Sequence, residues 1–255
     1  MECEFSRKNK VVPINIPALD RGEDDAHVFR QINTRTLLDN NSGATLKYVT
    51  YVQNVYNNIA THFSDTRYCI WDFVRDFMST KSNNMKGIDI GCGNGKNIVA
   101  FPDLNILGID NCNEFVRICR DKNINAIYGD CCEICSIDGA FDFAVAIAVY
   151  HHMENNIRRE KALNEMIRIL KTDGQGMFSV WSVENQQSEK IKRDFKPGDN
   201  YVSWRRRGDK KIFKRYYYVY TEVMINEFMD KFKTKINIDR IYNERGNWVV
   251  VFTKI

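Results

Sequence analysis

The sequence predicts an α/β domain built on a mostly parallel sheet with helices on both faces, and three observations point there. From Ile88 onward, short apolar runs alternate with stretches of helical period. The strongest run, Phe141 to Val149, is apolar at every position except Asp142, the pattern of a strand covered on both sides. A glycine-rich loop, Gly91-Cys92-Gly93-Asn94-Gly95, directly follows the first predicted strand.

The elements follow in order. Residues 1–45 hold Pro13, Pro17 and the acidic cluster Glu23 to Asp25 without sustained periodicity, and read as a loose extension before a domain over 46–255. From Leu46, the apolar positions Tyr48, Tyr51, Val52, Val55, Tyr56 and Ile59 keep a helical period, and a second helix covers Ile70 to Met78. Strands are expected at Ile88 to Ile90, up to Asp110, at Ile124 to Tyr128, at Phe141 to Val149 and at Gly176 to Trp181. Helices Glu114 to Arg120 and Arg158 to Leu170 lie between them. After a basic insertion at about 186–215 come helix Val223 to Phe232 and strands near Ile236 to Tyr242 and Trp248 to Thr253. The short link Glu244-Arg245-Gly246-Asn247 predicts an antiparallel hairpin at the end.

Length and composition narrow the class. A chain of 255 residues with 44% apolar residues can bury a large core and is neither disordered nor fibrous. No apolar run approaches the roughly 20 residues of a membrane span. The first ten residues carry no signal-peptide core, so the eight cysteines read as free thiols in a reducing, cytoplasmic setting. The net charge of +4 is uneven. Residues 186–215 hold eleven Lys and Arg against four acids, net +7, which leaves −3 for the rest. Phe195, Tyr201, Trp204, Phe213, Tyr216 and Tyr217 interleave with those cations, and stacking faces among cations suit unpaired nucleotides; a solvated, solubilising loop is the plainer alternative.

The glycine-rich loop sets the cofactor expectation. A dinucleotide fingerprint places its third glycine at position 96; here Lys96 stands there and Gly95 precedes it. The Gly91, Gly93, Gly95 spacing after Asp89 suits S-adenosylmethionine, which lacks a pyrophosphate and presents an amino-acid tail. Asp110 ends the next strand at the spacing of a ribose-binding acid, and Asp130 ends the third, placed for the adenine edge. With the closing hairpin, this predicts the seven-stranded, Rossmann-like sheet of class I SAM-dependent methyltransferases.

Further motifs carry a closer resemblance. The run Val55 to Tyr68 followed by Trp71, the loop Gly87 to Lys96, and Ala146 to His152 resemble the eukaryotic tRNA wobble-uridine (5-carboxymethyluridine) carboxyl methyltransferases, a family also found fused to AlkB-type tRNA hydroxylases. So do the Arg158-Arg159 pair, Ser179 to Gln186, Val202 to Trp204, Arg215 to Tyr217, and Gly246 to Val250. Departures are Asp173 in a usual Gly-Gly pair, Tyr218 in place of a His, and Asn155 and Asn156 after the paired histidines.

The resemblance implies methylation of the carboxylate of 5-carboxymethyluridine in a tRNA anticodon stem-loop. It implies Arg67 and Arg215 as positioners of carboxylate or phosphate, and His151 and Trp181 as a pocket rim completed by Asn247 and Trp248. It also implies a small zinc-binding activator subunit, which could pair with the edge strand Ile124 to Tyr128. A carboxylate is already ionised at neutral pH, so no strong base is required. Plainer readings stand beside these: strand-end histidines, core tryptophans and a surface arginine. Rival functions are a class I methyltransferase acting on a small molecule or another RNA site, and a silent SAM-binding RNA module. No metal is expected, because Cys132 and Cys135 have ligand spacing but no second pair completes four zinc ligands.

Overall fold

Seven strands form one sheet: β1 (Lys86–Ile90), β2 (Asn105–Asp110), β3 (Ala126–Tyr128), β4 (Phe141–Ile147), β5 (Leu170–Trp181) and the closing pair β8 (Ile236–Glu244) and β9 (Asn247–Lys254). Two more, β6 (Gly198–Arg205) and β7 (Ile212–Val219), make a separate antiparallel ribbon. The computed structural model describes residues 45–185, 194–205 and 211–255. The extension expected over 1–45 therefore lies outside the described residues but for its last position, as do 186–193 and 206–210 of the basic segment.

The sheet order is β3-β2-β1-β4-β5-β9-β8, parallel except for the pairs that β9 makes with β5 and β8. This is the predicted class I architecture. The β8–β9 link is a two-residue turn with Arg245 at φ 49° and Gly246 at φ 75°, between the partners Glu244 and Asn247. Two left-handed residues match the twist of a hairpin.

Helices cover both faces. A helical run begins with α1 (Leu46–Tyr48), widens into a π turn over Val49–Gln53 and continues as α2 (Asn54–Asp65). Then come α3 (Asp72–Ser79), α4 (Lys96–Val99), α5 (Asn113–Asp121), α6 (Asn156–Ile169) and α7 (Glu222–Asp230). One face buries Leu163 and Met166 of α6 and Ile225 and Phe228 of α7 against Ile88, Ile90 and Phe252. The other buries Phe73, Val74 and Phe77 of α3 against Phe143, Met177 and Val251. Each such side chain contributes about 1.5–3 kcal/mol. Asn155 departs from the family pattern yet caps α6, its side chain accepting the Arg158 N–H at 2.8 Å. Tyr218, another departure, takes the Arg159 guanidinium over its ring at 3.6 Å.

Three expectations change. Strand β4 stops at Ile147 rather than Val149, because Ala148 turns to φ 61° with its N–H held by both Ser179 O and Oγ at 3.1 Å. Strand β5 begins at Leu170, six residues before the expected Gly176. Its register with β4 jumps there, with Asp173 left-handed at φ 63°. The basic segment holds β6 and the first half of β7, strands the sequence reading does not expect there: Val202 and Trp204 alternate with the exposed Tyr201, Ser203 and Arg205.

Candidate active site

The chain leaves β1 for β2 and β3 on one side and returns to β4 and β5 on the other, so the C-terminal ends of β1 and β4 flank the switch point where open α/β sheets bind ligands. The glycine-rich loop lies at that point. Gly91 and Cys92 donate their N–H groups to Ile109 O at 2.7 and 3.0 Å, which lashes the loop to β2. A side chain on Gly91 would strike Val149 Cγ2 at 2.4 Å, whereas one on Gly93 would meet nothing within 4 Å. The two glycines therefore do different jobs: Gly91 closes the turn, and Gly93 opens onto free space. Gly95, at φ 75°, caps α4.

Three acids border the loop. Asp89 is fully buried; its Oδ2 accepts from Asn97 at 3.2 Å and its Oδ1 has no partner. Burial pushes its carboxyl up to about 7. Asp110 accepts the N–H groups of Gly93 and Cys112, both at 2.8 Å, and burial lifts it to about 6 against their pull. Asp130 accepts from Cys132 N–H at 2.8 Å and forms an ion pair at 3.0 Å with Arg158, which is itself 1% exposed. With Cys131 and Cys132 its oxygen falls within 4.8 Å of two sulfurs, one donor short of a structural zinc site.

The other half of the site is cationic and aromatic. Arg67 follows α2 and Arg215 projects from β7, and both guanidiniums face the Trp204 ring, at 5.8 and 4.8 Å from its centroid. Burial and the Arg215 charge lower the Arg67 pKa from its usual value. Among the described residues neither arginine pairs with a carboxylate. Arg215 Nε and Trp204 Nε1 are buried without partners.

Both histidines sit on the short helix Tyr150–His152 after β4 and are buried. His151 Nδ1 accepts the Trp181 N–H at 3.1 Å, so its proton resides on Nε2. His152 Nδ1 lies 2.8 Å from Tyr216 O, which can only accept, so its proton resides on Nδ1. Burial drives both pKa values down, to about 3 for His152. The Trp181 indole stacks on Tyr217 with centroids 3.9 Å apart, and on Phe195 at 5.2 Å.

The structure thus brings Arg67, Arg215, His151 and Trp181 to one end of the sheet. Asn247 pairs with Trp181 in register, and its amide donates to Glu244 O and Arg245 O of the hairpin turn. Trp248 pairs with Val180 and packs in the core cluster that contains Val180, the opposite parity from Trp181. The sequence reading gives Tyr56 and His152 no assigned role and reads Trp204 and Tyr217 only as stacking faces for nucleotides, although all four lie within the quoted motifs.

A methyltransferase-domain family model matches residues 88–178. A tRNA (carboxymethyluridine(34)-5-O)-methyltransferase of Schizosaccharomyces pombe is 33% identical over 222 residues, 80% of this chain and 96% of that protein. The chain belongs to that family. Its fold recurs in a SAM-dependent methyltransferase of Methanosarcina mazei, 16% identical, TM-score 0.57, covering 73% of this chain and 98% of the other. It recurs again in a Haloferax volcanii methyltransferase solved in complex with the Trm112 methyltransferase activator, 14% identical, TM-score 0.54, covering 80% and 97%. This chain is a SAM-dependent methyltransferase, and its loop fits that cofactor: Asp89 Oδ1 is a buried acceptor without a partner, and the space over Gly93 is open. No helix among the described residues is long and apolar enough to cross a membrane.

Proposed function

We propose that this enzyme methylates the carboxylate of 5-carboxymethyluridine at the anticodon wobble position of tRNA, giving the methyl ester. The observation that carries the reading is the Arg67–Arg215 pair: two guanidiniums converge on one indole, and among the described residues neither pairs with a carboxylate. Like charges held together call for an anion, and a planar fork suits a carboxylate.

S-adenosylmethionine, when bound, supplies an electrophilic methyl group on a sulfonium. Asp89, with the backbone of Gly91, Gly93 and Gly95, would hold its amino-acid tail. The free lone pairs of Asp110 would take ribose hydroxyls, and Asp130, braced by Arg158, would stand at the adenine end. The substrate carboxylate, with a pKa near ~4, arrives ionised and needs no base. Arg67 and Arg215 fix which oxygen faces the methyl group, and the stacked Trp181 and Tyr217 exclude water. His151 and His152 stay neutral, so they shape the pocket without competing for the anion. Asn247 and Trp248 support the rim through the β5–β9 pairing.

The remaining basic residues of 186–215 would hold the anticodon stem-loop backbone. The edge strand β3 would receive a small zinc-binding activator by strand pairing, in a cytoplasmic heterodimer. The test is methyl transfer to an anticodon stem-loop carrying 5-carboxymethyluridine or unmodified uridine. Product only with the carboxymethyl substrate supports the reading, and product on the unmodified base rejects it.

A further inference from the structure

Arg67 sits where regular structure runs out. Helix α2 ends at Asp65, and residues 67–71 belong to no helix or strand, so their backbone needs partners from elsewhere. Asn94, inside the glycine-rich loop, and Lys96, the first residue of α4, supply them. Asn94 Nδ2 donates to Arg67 O at 2.8 Å and to Ser64 O and Oγ, both at 3.3 Å, and Lys96 Nζ donates to Cys69 O at 2.9 Å. The Arg67 N–H closes the turn on Ser64 O at 3.2 Å. Chemistry fixes the orientation of the Asn94 amide. Carbonyls only accept, so its nitrogen faces Ser64 O and Arg67 O; the Lys96 backbone N–H only donates, so Oδ1 faces it, at 3.3 Å. The residue is buried.

We propose that Asn94 is a positioning residue that ties the substrate arginine to the cofactor loop: its side-chain amide sets the backbone of Arg67 and, through it, the guanidinium beside Trp204. The inference rests on the functional reading above and adds the part that registers one reactant against the other. The guanidinium lies 5.3 Å from the Phe63 ring centroid and 5.8 Å from that of Trp204. Such contacts attract a cation without fixing its place along the ring face. Arg67 Nη1 also donates to Thr66 O at 3.0 Å, so side chain and backbone of this turn move together. Asn94 stands between Gly93 and Gly95. The loop that would carry the methyl donor therefore also carries the post for the arginine that would hold the acceptor. Misplacing the two by about 1 Å costs up to about a hundredfold in rate. An amide removes that error and adds no charge to compete with the substrate carboxylate.

The test is a double-mutant cycle of Asn94→Ala and Arg67→Ala, read as kcat/KM on carboxymethyluridine stem-loop RNA at saturating SAM, with SAM affinity measured in parallel by calorimetry. Leaving Arg67 O without its donor is expected to lower kcat/KM about tenfold in Asn94→Ala, with SAM affinity within about twofold of wild type. In the Arg67→Ala background the same change costs less than about twofold, because the group it positions is already gone. Effects that multiply across the two sites, or a loss of SAM affinity as large as the loss of rate, make Asn94 a support of the loop alone. Either result overturns the proposal while leaving the functional reading intact. A wild-type enzyme silent on this RNA overturns both. NMR of the Asn94 side-chain amide in the wild type needs no variant: both Nδ2 protons are expected to be protected from solvent exchange, and rapid exchange overturns the anchor.

Discussion

The Trp181 and Tyr217 rings lie 3.9 Å apart and 2° from parallel, and the Trp181 N–H binds His151 Nδ1 in the same layer. A histidine whose acceptor nitrogen is taken by a backbone amide, inside a dry aromatic layer, has no means of collecting a proton near neutrality. His152 is held in the other neutral tautomer alongside it.

The first consequence is kinetic. With both histidines neutral and a nucleophile that arrives ionised, kcat at saturating SAM is expected to stay flat from about pH 6 to 8. A rate that climbs with a midpoint near the ordinary histidine value of about 6.5 would make one of them a base.

Asp89 has the opposite habit. Its carboxyl is lifted to about 7, and a cationic amino group placed at Oδ1 would favour the ionised form. SAM affinity is therefore expected to weaken as pH falls below about 7, with proton release on binding, measurable by calorimetry in buffers of different ionisation enthalpy. Asp89→Asn should lose SAM affinity at least tenfold (about 1.4 kcal/mol) while gaining thermal stability at pH 8. An unchanged affinity would remove Asp89 from the cofactor site.

Stability against pH follows from the same groups with opposite signs. His152 has a folded value of about 3, below its unfolded value, so its contribution is intact above about pH 6.5 and is lost as pH falls, about 1.4 kcal/mol per unit. Asp89 and Asp110 are raised in the fold, so their contribution is intact at acid pH and is lost as pH rises toward 6–7. The two terms partly cancel in the wild type. Asp89→Asn removes one of them, and its stability should fall more steeply than wild type between about pH 6.5 and 5 in denaturant titrations.

The glycine loop separates folding from binding. Gly91→Ala meets Val149 at 2.4 Å and should destabilise by about 1–3 kcal/mol. Gly93→Ala has room and should cost about 1 kcal/mol through its φ of 55°, yet lose most SAM binding. Equal losses of binding at equal stability would contradict the division.

Much of this was legible in the chain and some was not. The near-continuous apolar run into Val145 announced a central strand, and Arg245-Gly246 announced the hairpin, because burial on both faces and left-handed turns leave local signatures. Arg67, Arg215, His151 and Trp181 could be picked out by motif, and the fold gathers them. The β6–β7 ribbon escaped because β6 opens on the turn-forming Gly198, Asp199 and Asn200 and β7 carries Lys214 and Arg215 in its middle. The resemblance puts Trp248 on the rim, but strand parity sends it into the core with Val180. Tyr56 lies 96 residues from His152, and no local pattern reports a hydrogen bond over that separation.

The central claim is that an anionic oxygen of the substrate sits between Arg67 and Arg215. Its most direct measurement compares wild type with Arg67→Ala and Arg215→Ala on carboxymethyluridine stem-loop RNA, scoring base-labile methyl ester and SAM affinity together. The account predicts ester from the wild type, a loss of about a hundredfold or more in each variant, the cost of one charge-assisted contact, and SAM affinity nearly unchanged. Undiminished ester formation in both variants would contradict it.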